Sequence, residues 1–83
     1  MDKIIYRLGI APGERCERNY DCPDLLRLEN GDIAAIGRRA DPGIFAQLPG
    51  FGASVGSDEG IVIVPGWVFG ESVVDYVRRL AVN

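Results

Sequence analysis

The chain has 83 residues, of which 47% are hydrophobic and 25% charged, and its formal net charge is −3. These proportions are typical of a folded domain, and a domain of this size buries only about 60% of its unfolded surface. The acidic balance argues against a binder of nucleic acid or of a membrane surface, since both attract proteins through a positive field. We therefore predict one small domain over residues 1–83, with neither nucleic acid nor membrane as its partner.

The first predicted element is a strand over residues 3–8. Ile4, Tyr6 and Leu8 alternate there with residues of the opposite face, which is the pattern of a strand with one buried side. Residues 9–21 follow and contain a Pro-Gly turn signal and several charged side chains. This segment predicts an exposed loop between the first strand and the next element.

The N-terminal residues also bear on the compartment. They mix charged with apolar positions and contain no uninterrupted apolar core of a signal peptide, so we expect a cytoplasmic protein. Disulfides are rare in the cytosol. The two cysteines of the chain, Cys16 and Cys22, are therefore expected to be free thiols.

The strongest local signal is the Asn30-Gly31 pair between the apolar runs of residues 25–29 and 32–36. Both residues tolerate a positive φ, so the pair predicts a hairpin closed by a two-residue type I′ turn. In that register Leu25 and Ile36 share one face. The opposite face is expected to enter the core and carries Leu26, Leu28, Ile33 and Ala35.

Two helices and one more strand are predicted in the second half of the chain. Asp41 is a favourable N-cap for a short helix over residues 42–48, with a proline at its first position. The β-branched run of residues 61–64 predicts a strand covered on both faces. A C-terminal helix is predicted over residues 69–82, with apolar residues at helical spacing at Val73, Val74, Val77, Leu80 and Ala81.

Together these elements predict an α+β fold. A small mixed β-sheet is expected to contain the N-terminal strand, the Asn-Gly hairpin and the later buried strand, joined by the short helix. The amphipathic C-terminal helix is expected to pack on one face of that sheet. If residues 61–64 ran parallel to residues 32–36, the connection between them would be a right-handed crossover.

Histidine is absent from the sequence, and this excludes several kinds of chemistry. Neither a Ser-His-Asp triad nor a Cys-His pair can form within one chain, and no histidine can bind zinc. The adjacent acids Asp58-Glu59, and Asp21 with Asp24, lie beside turn residues, where acids are common for local reasons. We therefore predict a non-enzymatic protein with no catalytic residue and no cofactor.

The glycine-rich residues 50–56 invite comparison with a phosphate-binding loop. Such loops follow a strand and begin a helix, so that backbone N–H groups and the helix dipole meet the anion. Here a predicted helix precedes the glycines and a predicted strand follows them, and the lysine of a P-loop is missing. The segment is predicted to be a connector.

One alternative function depends on the loop from Cys16 to Asp24. Its two cysteines, Cys16 and Cys22, stand among carboxylates that could complete a set of four metal ligands. A small-ligand or metal-binding protein is thus the alternative reading. The leading prediction assigns no metal site, because two cysteines alone do not close one and small thiols also pack in cores.

The remaining candidate residues suggest that the protein acts through a contact surface. Trp67 and Phe51 lie near turns, where large aromatic side chains anchor partners or seal a small core. Arg38 and Arg39, like the later Arg78-Arg79 pair, could contribute a basic patch if the pairs converge. We predict partner binding at Trp67, Phe51, Arg38 and Arg39, with another protein or a second copy as the partner.

Three segments carry a resemblance to known proteins. Residues 22–24 (CPD), 31–37 (GDIAAIG) and 61–65 (IVIVP) resemble a family of small uncharacterised actinobacterial proteins, which are often encoded near helix-turn-helix regulators. The resemblance covers residues 22–65 and implies a regulatory or partner-binding role, with no catalytic residue to carry over. We therefore expect a cytoplasmic accessory protein that acts by protein–protein interaction.

Overall fold

The computed structural model of this protein describes residues 2–9 and 22–82. The described elements are β1 (Ile4–Leu8), β2 (Asp24–Leu28), β3 (Ile33–Ile36), β4 (Arg38–Arg39), α1 (Pro42–Gln47), a 3-10 helix (Leu48–Phe51), β5 (Val62–Ile63) and α2 (Gly66–Val82). The predicted α+β class is confirmed. The loop predicted over residues 9–21 lies almost entirely outside the described residues.

The described strands form two antiparallel sheets. One has the order β1-β2-β3, and the other pairs β4 with β5. The prediction that residues 61–64 join the hairpin in one sheet therefore differs from the structure, in which Val62 opposes Arg39 and is 44% exposed. A short β-branched run indicates a strand but does not specify which strand pairs with it.

The hairpin is confirmed, but its predicted register is wrong by one residue. Leu25 opposes Ala35, and Leu28 closes the strands with a backbone hydrogen bond to Asp32 at 2.9 Å. The loop therefore has three residues and ends on Gly31 at a φ of 100°, which is the second common way in which an Asn-Gly sequence closes a hairpin.

This shift changes which residues of the hairpin face the core, because side chains alternate along a strand, although Leu28 is buried as predicted. Leu25, predicted to lie on the outer face, is 7% exposed and contributes to the core, whereas Leu26 is half-buried and Ile33 is 41% exposed. In β1, a register shift between Ile4 and Tyr6 breaks the predicted alternation, and Ile4 is exposed.

The short helix forms where it was predicted, and its cap explains why. The Asp41 carboxylate accepts a hydrogen bond from the backbone N–H of Ile44, and Pro42 stands in the first turn, where a backbone N–H has no helical partner. The chain then continues through the 3-10 helix rather than stopping at Pro49. Gly52 ends that helix in the left-handed conformation.

The core lies between the three-stranded sheet and α2. Leu8, Leu25 and Val68 form a buried cluster, and Tyr6 and Tyr76 are among the side chains that pack against it. Ser72 is also buried and donates its hydroxyl hydrogen bond to the carbonyl of Val68 at 2.8 Å, with the Leu8 carbonyl a further 3.4 Å contact. A small residue at this point lets the helix approach the sheet closely.

The orientation of α2 differs from the orientation that its apolar residues predict. The helix begins at Gly66, three residues before the predicted start, and it contacts β1 and β2. Val68 and Ser72 are its buried residues, whereas the residues predicted to pack on the sheet are exposed: Val73, Val74, Val77, Leu80 and Ala81. The prediction of an apolar face turned toward the sheet is therefore wrong.

Candidate contact surface

Polar contacts hold α2 in this orientation. The Asp75 carboxylate accepts a hydrogen bond from the backbone N–H of Gly9 at 2.9 Å. It also pairs with Arg79 at 3.2 Å, and the Arg79 guanidinium lies 4.1 Å from the centre of the Tyr6 ring. The charged side of α2 thus faces β1, where cation–π and charge-assisted hydrogen bonds compensate partial burial.

The electrostatics of Asp75 follow from the same contacts. The backbone N–H of Gly9 is the main reason that the pKa of Asp75 lies below its ordinary value of 3.8. Partial burial opposes this effect, and Arg79 adds to it through a hydrogen bond and its charge. Asp75 is therefore an ionised anchor of the helix at neutral pH.

The opposite side of α2 forms an exposed apolar surface, here called the outer face. Its large side chains are between 40% and 56% exposed and are Trp67, Phe69, Val73, Val74, Val77 and Leu80. Gly70 and Ala81 lie between them and are exposed as well. No charged residue lies within the outer face, because Glu71 and Asp75 fall on the sheet side and Arg78 at the border.

The outer face continues into a groove beside β3. Ile33, Phe69, Val73 and Tyr76 line part of an apolar cavity of about 210 Å³ whose floor includes Leu25. The largest contiguous apolar patch of a monomeric protein is often a functional site. The groove gives the outer face a concave margin as well as a row of protruding side chains.

The structure places the four predicted partner-binding residues on its surface. Phe51 is 84% exposed at the end of the 3-10 helix, and Trp67 is 52% exposed in the first turn of α2. Arg38 and Arg39 are exposed in β4. Trp67 belongs to the outer face of α2, whereas the other three residues lie on other elements.

The two arginine pairs line separate grooves. Arg38 lines one of about 500 Å³ with Ile63, between the two sheets. Arg78 and Arg79 line another, with Asp75 on α2. Since Arg79 is paired with a carboxylate, the single basic patch that required convergence of both pairs receives no support.

A nearby acid hydrogen-bonds to the last glycine of the glycine-rich residues 50–56. Glu59 accepts a hydrogen bond from the backbone N–H of Gly56 at 2.7 Å. This N–H is therefore already paired with a carboxylate. Asp58 and Glu59 thus serve a local turn, which is the role that their neighbours in the sequence predicted.

The predicted alternative site in the Cys16–Asp24 loop is described only from Cys22 onward; Cys16 and Asp21 lie outside the described residues. Cys22 is disulfide-bonded, so the prediction of a free thiol is wrong, and the sulfur offers no thiolate to a metal. Asp24 is 3% exposed and bonds to the Arg7 guanidinium at 2.6 Å. Within the described ranges, no three acidic, cysteine or histidine side chains form a metal-binding group.

Sequence reasoning missed the role of Phe69 and the exposure of Val73, Val77 and Leu80. One signal could have found them. The uncharged arc of α2 is too wide for a helix that covers only a small sheet, and it excludes Ser72, a residue that lies at the buried contact.

No protein-family model, no curated protein and no solved structure matches this chain. In the part of the chain that the structure describes, no helix combines the length and apolar character needed to cross a bilayer.

Proposed function

We propose that this chain is a non-enzymatic accessory protein that acts by binding a protein partner through the outer face of α2. The observation that carries the proposal is the orientation of α2 about its axis. Its charged side is used in intramolecular contacts, and its apolar side faces solvent. Exposed apolar area is favourable to cover, and large contiguous apolar patches often mark contact sites.

Two further observations support a contact role. Aromatic residues are enriched at the centres of protein interfaces, and the outer face presents Trp67 and Phe69. Phe51, which is the most exposed large apolar residue of the described chain, lies on a separate element and is a second candidate anchor. The resemblance of residues 22–65 is in keeping with a regulatory partner.

Affinity capture with matched variants tests the proposal. The tagged chain, and its Val73→Glu and Val62→Glu variants, are captured from the native host after crosslinking. Val73 and Val62 have similar exposure, 40% and 44%, but only Val73 lies on the outer face. We expect Val62→Glu to retain the captured protein and Val73→Glu to lose it. Equal capture by both variants would remove the outer face from the proposal.

The small-ligand or metal alternative at the Cys16–Asp24 loop stays a prediction. The Arg38 groove, which Pro23 also lines, is the nearest described concave surface. Native mass spectrometry of the chain purified without chelator tests this alternative. A bound mass that disappears on Arg38→Ala would favour a ligand, and an unliganded chain would exclude the alternative under those conditions.

The cytoplasmic location belongs to the proposal and can be tested at Cys22. A disulfide-bonded Cys22 is typical of an oxidising compartment, whereas the N-terminal composition predicts the cytosol. Rapid acid quenching of the native host, followed by thiol alkylation, measures the state of Cys22 in the cell. A cytoplasmic chain is expected to be alkylated, and an exported one to be protected until reductant is added.

A further inference from the structure

We infer that the occupant of the outer face of α2 is a second copy of this chain, bound as an antiparallel helix pair related by a two-fold axis. The inference rests on the proposed function, because it names the partner for the same surface. Three properties of the outer face support it: its area, its charge distribution and its self-complementary shape.

The first property is area. The six large side chains, each 40% to 56% exposed, leave on the order of 500 Å² of apolar surface on each copy, and the two aromatic side chains contribute the largest shares. Covering all of this surface on both copies would remove about 1,000 Å², which reaches the lower bound for a specific interface and fits a concentration-dependent dimer. Each copy supplies half of that area.

The second property is charge. The outer face contains no charged side chain, and the charges of α2 lie on the sheet side or, for Arg78, at its border. Two copies can therefore approach through this face without bringing like charges together, although each chain carries a net charge of −3. A partner selected by charge, by contrast, would find no complementary group there.

The third property is shape. In an antiparallel pair centred between Val73 and Val77, Val73 of one copy meets Val77 of the other. Leu80 then comes opposite Gly70 and Phe69, and at Gly70 an added Cβ would meet no atom within 4 Å. Large side chains thus face an open position, and the two helix dipoles are opposed. The same surface serves both copies, as a two-fold interface demands.

The small core gives a reason for such association. Among the described residues the buried hydrophobic side chains are Leu8, Leu25, Leu28 and Val68. A domain with so small a core has little stability in reserve, and a second copy that binds the folded state adds to it by mass action. Association through the outer face would bury the apolar side chains of α2 that a single copy leaves exposed.

Sedimentation velocity on the full chain over a range of concentrations tests the inference. The wild-type chain is expected to reach twice the 9.0 kDa of one copy. Because the pair is two-fold symmetric, Val73→Glu and Val77→Lys each place two charges in the interface, one on each copy. Each substitution should therefore raise the dissociation constant at least about 100-fold. Both positions are exposed in one copy, and circular dichroism checks that the variants are folded. Val62→Glu, off the outer face, should dimerise as the wild type does.

Mixing the two variants tests the antiparallel arrangement. In that arrangement Glu at position 73 of one copy meets Lys at position 77 of the other, so the mixture should recover dimers that neither variant forms alone. In a parallel pair position 73 would meet position 73, so the stronger recovery would come from mixing Val73→Glu with Val73→Lys instead. Failure to recover dimers overturns the antiparallel pair.

The outcomes separate this inference from the proposed function. A wild-type chain that stays monomeric up to about millimolar concentration, or dimers insensitive to both substitutions, overturns the second copy as occupant. If a monomeric chain nevertheless captures a different protein, and Val73→Glu abolishes that capture, the proposed function stands while the dimer is rejected.

Discussion

The Asp75 carboxylate accepts a hydrogen bond from the backbone N–H of Gly9 at 2.9 Å, across 66 positions of the sequence. This contact joins α2 to the end of β1, where Gly9 adopts a φ of 77°. It favours one rotation of the helix about its axis, because Asp75 can reach Gly9 only when the charged side of α2 faces the sheet. Together with the buried Val68 and Ser72 on the same side, this contact leaves the outer face exposed.

The Asp75 contact predicts an acid-dependent loss of stability. Because folding lowers the pKa of Asp75, the carboxylate stabilises the fold above its unfolded-state pKa, and this contribution is lost as the pH falls through the lowered folded-state pKa. Asp75→Asn keeps an acceptor for Gly9 but removes the charge. We expect its unfolding free energy to fall less steeply below about pH 4 than that of the wild type.

Urea unfolding at a series of pH values measures this difference. Asp75→Ala serves as the comparison, since it removes the acceptor as well and should cost about 1–2 kcal/mol at neutral pH. Identical acid profiles for wild type and Asp75→Asn would contradict an ionised anchor at this position.

The observed hairpin register predicts unequal effects at two adjacent leucines. Leu25 is 7% exposed in the core, and Leu26 is half-buried on the opposite face. Leu25→Ala should therefore cost about 2–4 kcal/mol, and Leu26→Ala distinctly less, because the buried site leaves a cavity. Chemical denaturation of both variants provides the measurement. A larger loss for Leu26→Ala would favour the two-residue turn predicted from the sequence.

The close approach of Gly37 to β5 predicts that alanine is not tolerated there. A Cβ at Gly37 would overlap the carbonyl oxygen of Ile63 and lie 3.0 Å from its carbonyl carbon. The backbone has to move, so Gly37→Ala should destabilise the fold by about 1–3 kcal/mol. Gly60→Ala is the matched control, since no atom lies within 4 Å of its added Cβ. Thermal unfolding should leave the control within about 0.5 kcal/mol of the wild type.

The turn glycine predicts a backbone effect of a different origin. Gly31 has a φ of 100°, which a residue with a Cβ adopts at a cost of about 1–2 kcal/mol. Gly31→Ala should lose that amount of unfolding free energy, whereas Glu29→Ala, at an exposed position of the same loop, should be nearly neutral. Equal stabilities of the two variants would show that the turn relaxes to another conformation.

The sequence by itself located β1, the hairpin strands, α1, β5 and α2 of the described fold, but neither β4 nor the 3-10 helix. Alternation located β1, the Asn30-Gly31 pair located the hairpin, and Asp41 with Pro42 located α1. These features are local: a cap, a turn glycine and a strand pattern act on residues a few positions away, so they can be read without a fold. Exposed Trp67 and Phe51 were also among the predicted contact residues.

Only the structure decided the hairpin register, the separate pairing of β4 with β5, and the rotation of α2. The register depends on which of two local turns the Asn30-Gly31 pair adopts. The other two depend on contacts between residues distant in the sequence, such as Gly9 with Asp75. Apolar periodicity identifies the apolar side of a helix, but it cannot say whether that side faces the protein's own sheet or the solvent. That choice follows from the balance between apolar burial and the specific polar contacts of the opposite side, and here the polar contacts face inward.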